Sequence, residues 1–168
     1  MIIAIYLGAF APMRRGEIAA LTYDDVKGNL VTINKSMVKK KGKWIIKTPK
    51  TKASFRTVPL PDFVINEIGH GEGRIVKMTP NRITKNWISY RNKCGLNIRF
   101  HDLRHYGASI LHAIGIPDEY ILQRGGWATD SVMKSVYRGA IDDVTAKMND
   151  KANDYFTETF EMSTSKKQ

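Results

Sequence analysis

The stretch that organises this sequence is Arg99-Phe100-His101-Asp102-Leu103-Arg104-His105-Tyr106-Gly107-Ala108-Ser109, which predicts the start of a helix. An apolar stripe at helical spacing is expected to consist of Leu103, Tyr106, Ile110, Leu111 and Ile114. The opposite side is expected to present His101, Arg104, His105, Ala108 and His112. An imidazole exchanges a proton near neutral pH, and a guanidinium offers a fork of donors that suits a phosphate. His101 and Arg104 therefore suggest a site that grips a phosphodiester and moves a proton, although such a pair alone is also common on a solvated helix face.

The composition is that of one globular domain with a basic surface. The chain has 168 residues, of which 42% are hydrophobic and 26% are charged, enough for a single hydrophobic core. A net charge of +11 and an isoelectric point near 9.8 favour a polyanionic partner, with nucleic acid as the first candidate. The one cysteine, Cys94, excludes an internal disulfide and a cysteine-rich zinc site, and it fits a reducing cytoplasm.

The first apolar run, residues 2–10, is too short to cross a bilayer. Arg14 and Arg15 follow this run, whereas a signal peptide carries its positive charge before the apolar segment. The sequence therefore predicts neither a membrane span nor a signal peptide. The run reads as a core helix whose beginning has been removed, so we expect this chain to be the end of a longer protein.

The pattern of apolar residues and breakers predicts a mostly helical α+β fold with a small three-stranded antiparallel sheet. Helices are expected at residues 2–10, 14–21, 61–68, 80–93, 101–114, 117–123, 129–137 and 140–156. Apolar runs at residues 30–38, 44–46 and 55–60, separated by turn residues, predict the sheet as a meander of three strands. Residues 161–168 are expected to be a disordered polar tail.

The predicted sheet is strongly basic and contains no acidic residue. Its cationic side chains are Lys35, Lys39, Lys40, Lys41, Lys43, Lys47, Lys50, Lys52 and Arg56. Such a run is either simply solvated or a surface that contacts the phosphates of a nucleic acid.

Three further stretches carry residues that suit phosphate chemistry. They are Met13-Arg14-Arg15-Gly16-Glu17-Ile18, the segment from Pro49 to Leu60 with Lys50 in its turn, and Gly125-Gly126-Trp127 followed by Val136-Tyr137-Arg138. Each has an ordinary reading on its own: a helix ion pair, a turn lysine and core aromatics. In order with the central helix, however, they form a pattern.

This pattern resembles the catalytic domain of the tyrosine recombinases, the phage-integrase family. The family has an Arg with an acidic residue three positions on, a Lys in a hairpin turn, His-x-x-Arg, a His or Trp, and a Tyr nucleophile. The matching positions here are Arg14, Glu17, Lys50, His101, Arg104, Trp127 and Tyr137. Trp127 stands where most members have His, and its spacing to Tyr137 is about one residue longer than is common. Tyr155 is too far downstream to be a good rival nucleophile.

The resemblance implies the DNA breaking-rejoining fold over residues 1–160, without the N-terminal core-binding domain of the family. It also implies a mechanism in which Tyr137 attacks a DNA phosphate and forms a 3′-phosphotyrosyl link. His101 would accept the proton, Arg14 and Arg104 would brace the phosphate oxygens, and Lys50 would protonate the leaving 5′ oxygen. Trp127 would donate its indole N–H to a phosphate oxygen, and Glu17 would orient its neighbours. No cofactor and no metal is expected.

The implied function is site-specific recombination of double-stranded DNA, in phage or mobile-element integration or excision, in the cytoplasm of a bacterial cell or phage-infected host. Other recombinase protomers would be partners, as a tetramer on DNA, whereas the chain is expected to be a monomer without DNA. The C-terminal segment is expected to pack either on its own core or on a neighbouring subunit. Two alternatives stay open: an enzyme like a type IB topoisomerase, and an isolated DNA-binding fragment without catalytic activity.

Overall fold

The computed structural model describes residues 1–49, 54–129 and 153–154. The helices in this part of the chain are α1 (Ile2–Phe10), α2 (Arg15–Ala20), α3 (Asp62–Ile68), α4 (Pro80–Lys93), α5 (Asp102–Ala113) and α6 (Asp118–Gly125). The strands are β1 (Val26–Lys27), β2 (Leu30–Ile33), β3 (Ser36–Lys40), β4 (Lys43–Lys47) and β5 (Arg56–Pro59). The predicted fold class, mixed and rich in helix with small antiparallel sheets, is confirmed.

The helix boundaries follow from local signals in the sequence. The predicted helices at 2–10 and 80–93 have the predicted bounds, and the four others described differ by one or two residues at an end. Thr79 caps α4, because its hydroxyl accepts a hydrogen bond from the Arg82 amide at 3.3 Å and Pro80 takes the first helical position. The helices predicted at 129–137 and 140–156, and the tail at 161–168, fall almost wholly outside the described residues.

The sheet differs from the predicted meander. The run at 30–38 divides into two strands, β2 and β3, which belong to different sheets. A three-stranded antiparallel sheet has the order β1-β2-β5, and β3 and β4 pair separately as a two-stranded ribbon. β2 pairs with β5, and β3 and β4 come between these two strands in the sequence. The ribbon is therefore an insertion between two paired strands of the sheet. The predicted three-run meander is therefore wrong in its strand pairing, although a three-stranded antiparallel sheet is present.

One hydrophobic core holds these layers together. Helices α1, α2 and α4 and the three-stranded sheet each contribute side chains with at most 2% exposure, among them Leu7, Ile18, Val31, Val58, Ile83 and Trp87. A smaller cluster of Ala108, Ile121 and Trp127 joins α5 to the end of α6. The two clusters flank the start of α5, where the predicted phosphate-binding residues lie.

The orientation of α5 contradicts the sequence prediction. Tyr106 is 62% exposed and Ile114 is 67% exposed, whereas Arg104 and Ala108 from the predicted polar side are buried. The reason is the close approach of α1: a methyl group added at Gly107 would lie 2.0 Å from the carbonyl oxygen of Ala9. The helix turns its small residues toward α1, and this rotation takes Arg104 inside the protein.

The basic residues of the sheet region do not form one surface. Lys35 is paired with Asp25 at 2.7 Å, and Arg56 is buried. Of the basic residues predicted to lie in the sheet, the described ones that stay exposed are on the ribbon of β3 and β4 and its turn: Lys39, Lys40, Lys41, Lys43 and Lys47. Lys50 and Lys52 lie outside the described residues.

Candidate active site

Arg14 and Glu17 meet at the start of α2. The Glu17 carboxylate accepts a hydrogen bond from the Arg14 backbone amide at 2.8 Å and another from Arg14 Nη1 at 2.9 Å. Arg14 Nη2 donates to the carbonyl oxygen of Gly126 at 3.0 Å, which ties α2 to the end of α6. The Arg14 side chain keeps 41% of its surface exposed, so this guanidinium is both held in place and open to a ligand.

Glu17 is a buried carboxylate that stays ionised. Burial by itself would raise its pKa, but the hydrogen bond and charge of Arg56, with the amide and charge of Arg14, lower the pKa below its ordinary value. Arg56 Nη2 donates to Glu17 Oε2 at 3.0 Å. The carboxylate thus joins two guanidinium groups, one exposed and one buried.

Arg104 lies in the first turn of α5 and is only 1% exposed. Its Nη1 donates to the carbonyl oxygen of Pro12, and its guanidinium carbon lies 4.0 Å from the centre of the Trp127 ring, a cation–π contact. Burial, with the nearby charge of Arg14, lowers the pKa of Arg104 to about 9, so the group is still protonated at neutral pH. Its Nε and Nη2 have no acceptor within the described ranges.

His101 immediately precedes α5 and faces several positive charges. Its ring centre lies 4.7 Å from that of His105, and the two rings are nearly perpendicular. Loss of water around the ring, together with the charges of His105, Arg104 and Arg14, lowers the pKa of His101 to about 4. His101 is therefore a neutral imidazole at pH 7 and can accept a proton.

Trp127 follows the end of α6 and is 8% exposed. Gly126 ends the helix in the left-handed conformation, with φ of 67°, and the Trp127 amide donates to the Leu122 carbonyl oxygen at 3.0 Å. The indole packs against Arg104 and against Ala108 and Ile121. Its observed contact with the site is thus a ring face on a guanidinium.

The structure brings together the described members of the predicted set. Arg14 contacts Glu17 directly, Arg104 contacts Trp127 directly, and His101 is within electrostatic range of both arginines. Arg14 and His101 line an open cleft of about 790 Å³, to which Arg15, Lys39 and Arg99 add further positive charge. Lys50 and Tyr137 lie outside the described residues, and their places in the site stay predictions.

Arg56 is a residue of this cluster that sequence reasoning missed. The sequence places it among the exposed basic residues, yet its side chain is 2% exposed and pairs with Glu17. The alternation of β5 contains the signal: Arg56 and Val58 are two residues apart and share the inner face of the strand. An arginine in phase with a core valine is expected to point inward.

The described part of the chain offers neither a metal cluster nor a membrane span. No group of three or more His, Cys, Asp or Glu side chains there is arranged to hold a metal ion. No described helix is both long enough and apolar enough to span a membrane.

Comparison with known proteins gives relatives of one kind. An integrase of Saccharopolyspora erythraea is 32% identical over 78 residues, which cover 46% of this chain and 18% of the relative. A protein described as tyrosine recombinase XerC-like, from Caldanaerobacter subterraneus subsp. tengcongensis, is 26% identical over 91% of this chain and 49% of its own length. The chain thus spans about half or less of these curated relatives.

A solved structure has the same fold. The Tn1549 transposon integrase in complex with transposon right end DNA superposes with a TM-score of 0.73 over 89% of this chain and 58% of that chain, at 17% identity. The family model described as the phage integrase family matches residues 4–142. This match includes every position of the predicted site, and the chain therefore belongs to the phage integrase family.

Proposed function

We propose that this chain carries out site-specific DNA recombination by cleaving and rejoining one DNA strand at a time through a 3′-phosphotyrosyl intermediate. The observation that carries the proposal is Arg104, a buried guanidinium with two donor nitrogens that lack an acceptor in the described structure. A buried cation with free donors suits an anionic ligand with several oxygens. Arg14 and neutral His101 line one cleft, and Arg104 is within electrostatic range of both, a grouping that suits one phosphodiester.

The proposed roles assign one bond or proton to each group. The Tyr137 hydroxyl oxygen attacks phosphorus and gives its proton to His101, while the bond from phosphorus to the 5′ oxygen breaks and Lys50 protonates that oxygen. Arg14 and Arg104 stabilise the charge on the non-bridging oxygens. A 5′-hydroxyl of a partner strand reverses the step, and no external energy is needed because one phosphoester replaces another.

Two roles differ in emphasis from the sequence prediction. The contact of Trp127 with Arg104 supports a role in holding the guanidinium in place, in addition to any donation from the indole N–H. Both carboxylate oxygens of Glu17 already accept hydrogen bonds from Arg14 and Arg56, so its role is to orient Arg14.

The wider assignments are part of the same proposal. Residues 1–160 act as the catalytic domain on double-stranded DNA in the cytoplasm, as a monomer without DNA and as a tetramer with other protomers on it. The basic cleft beside Arg14 supports the DNA partner. The membership of the family supports the reaction.

Covalent trapping tests the proposal. The chain is incubated with a pool of nicked duplexes of randomised sequence, in which the short 5′-hydroxyl fragment diffuses away after cleavage, and adducts stable to SDS are isolated and sequenced. The unaltered chain is expected to form such an adduct, and Tyr137→Phe is expected to form none while its DNA binding is retained. Tyr155→Phe is the matched control and is expected to form the adduct.

Three results would contradict the assignment. An adduct with Tyr137→Phe would mean that another residue is the nucleophile. DNA binding by the unaltered chain with no adduct across the pool would favour a binding fragment. Relaxation of supercoiled plasmid without sequence preference would favour an activity of the type IB topoisomerase kind.

A further inference from the structure

Arg56 makes a set of contacts that no other described side chain makes around the site. Its Nε donates to the carbonyl oxygen of Arg124 at 2.8 Å, and its Nη2 donates to Glu17 Oε2 at 3.0 Å. Longer contacts reach Pro12 and Ser54, whose carbonyl oxygens lie 3.5 Å and 3.4 Å from the guanidinium nitrogens. One planar group therefore links β5, the start of α2, the end of α6 and the loop after α1.

These partners are the residues that hold the proposed phosphate-binding groups. Glu17 binds Arg14, the Pro12 carbonyl oxygen also accepts from Arg104, and Arg124 is three residues from Trp127. Arg56 itself has no nitrogen left for a ligand, because its Nε, Nη1 and Nη2 each donate to an oxygen of the protein, unlike those of Arg104. Whatever it does for the reaction must pass through its neighbours.

We propose that Arg56 is a positioning residue: it holds the Glu17 carboxylate on Arg14 and so fixes the Arg14 guanidinium in place. The proposal rests on the proposed function for the reaction it serves. Its electrostatic part, the action on Glu17, does not depend on the reaction.

The charges of the cluster explain why an arginine is needed. Arg14 and Arg56 pair with one carboxylate, and Arg104 lies within electrostatic range of it, which leaves an excess of two positive charges for an anion. Without Arg56, Glu17 would be a buried carboxylate with one half-exposed partner, and burial would raise its pKa. A protonated Glu17 would accept less strongly from Arg14, whose guanidinium would then be held mainly by its hydrogen bond to the Gly126 carbonyl oxygen. A lysine has a single nitrogen and cannot donate to Arg124 and Glu17 from both sides.

The experiment compares Arg56→Met, Arg56→Lys and the double variant Arg56→Met/Glu17→Gln with a matched control, Arg74→Met. Arg74 is a partly buried arginine whose described hydrogen bonds go to the backbone oxygens of Ala19, Val76 and Met78. Cleavage of the nicked DNA pool is measured per folded molecule across pH, and the pKa of the Glu17 carboxyl group is measured by NMR.

Arg56→Met is expected to raise the pKa of Glu17, to lower cleavage by about 10²-fold and to move the acid limb of the pH profile to higher pH. Arg56→Lys should have a cleavage rate and a pH profile between those of the unaltered chain and those of Arg56→Met. The double variant removes the unpaired buried charge, so it should melt at a higher temperature than Arg56→Met without regaining cleavage. Arg74→Met should lose stability and keep both the rate per folded molecule and the pH profile.

A purely structural role for Arg56 would give a different set of results. In that case the loss of cleavage would follow the folded fraction, and the pH profile and the pKa of Glu17 would match those of the unaltered chain, which would overturn the proposal. If Arg56→Met does not fold, the lysine and double variants decide the same question. A failure of the proposed function would appear separately, as absence of any adduct from the unaltered chain while the NMR titration still tests the action on Glu17.

Discussion

Four charged side chains are buried in the described residues, and they are not equally compensated. Glu17 pairs with Arg14 and Arg56, and Asp25 pairs with Lys35, so three of the four buried groups have opposite charges beside them. Arg104 has a carbonyl oxygen and an aromatic face instead. Taking an ion out of water without a counter-ion costs several kcal/mol. Arg104 is the buried charge for which this desolvation cost is not offset by a counter-ion, and binding of a phosphate to Arg104 would offset it.

Desolvation and the neighbouring positive charges keep the His101 ring neutral at pH 7. NMR titration of this ring in the DNA-free protein checks the prediction. We expect a midpoint at about 4, because desolvation and the neighbouring charges disfavour the protonated form. The control is the chain unfolded in urea, where histidines are expected to titrate at about 6.5. A midpoint near 6.5 in the folded protein would show that desolvation and the neighbouring charges do not disfavour the protonated ring.

The sign of the linked stability change also follows. Since the folded-state pKa of His101 lies below the unfolded value, its contribution to stability is complete above pH 6.5 and is lost as the pH falls toward 4. The pKa of Glu17 is also lowered, and its contribution is lost only below about pH 4.5. The variant His101→Gln should therefore lose less stability between about pH 6.5 and pH 4.5 than the unaltered chain. Equal losses of stability in His101→Gln and in the unaltered chain would contradict the lowered pKa of His101.

At the scale of elements, the contact between α1 and α5 decides where Arg104 points. Gly107→Ala is expected to destabilise the protein by about 3 kcal/mol or more, because the added methyl group would lie 2.0 Å from the Ala9 carbonyl oxygen, a backbone atom that cannot yield alone. Urea unfolding measures the change. Gly8→Ala is the control on the same interface: its methyl group would meet Leu103 and Phe100 at 3.6 Å, an ordinary contact. The control should change stability by no more than about 1 kcal/mol, and equal losses in both variants would show that the α1–α5 packing is misassigned.

The elements also show what the sequence could predict and what it could not. Bounds such as those of α4 follow from neighbouring residues, since Thr79 and Pro80 are adjacent to the helix that they start. The inward face of α5 does not follow from neighbouring residues, because Arg104 binds the Pro12 carbonyl oxygen, 92 positions earlier in the chain. The apolar residues Tyr106 and Ile114 predict that the opposite face is buried, yet both are exposed. The pairing of β2 with β5 likewise joins distant segments, such as Thr32 and Thr57.

For the candidate site, the resemblance supplied residue types and their order, and the geometry supplied the connections between them. The order alone selects Arg14, Glu17, His101, Arg104 and Trp127. That Glu17 serves two arginines, and that the second is Arg56, depends on β5 lying beside α2, which no local pattern specifies. Lys50 and Tyr137 stay predictions from the resemblance.

At the scale of the whole molecule, the positive charge is distributed unevenly. The net charge of +11 includes exposed lysines concentrated on the ribbon of β3 and β4, and Lys39 also lines the cleft beside Arg14. The ribbon departs from the core sheet, so its lysines contribute little to folding. Charge of this kind serves association with a polyanion, whose affinity then depends on salt through the release of counter-ions.

The dependence of DNA affinity on salt tests the ribbon as a phosphate-contacting surface. Replacing Lys39, Lys41 and Lys43 together with Gln should weaken binding and reduce the slope of log affinity against log salt by up to roughly 3, about 0.9 for each phosphate that a lysine no longer neutralises. The control replaces three exposed lysines of other segments, Lys27, Lys77 and Lys93, and removes the same net charge. The measurement is fluorescence anisotropy with a labelled duplex of mixed sequence between roughly 50 and 200 mM salt, the range over which such contacts are resolved. Because both variants lose three charges, a general field effect would change the two slopes equally, and that result would exclude the ribbon as a direct phosphate contact; a change confined to the ribbon variant would place DNA against β3 and β4.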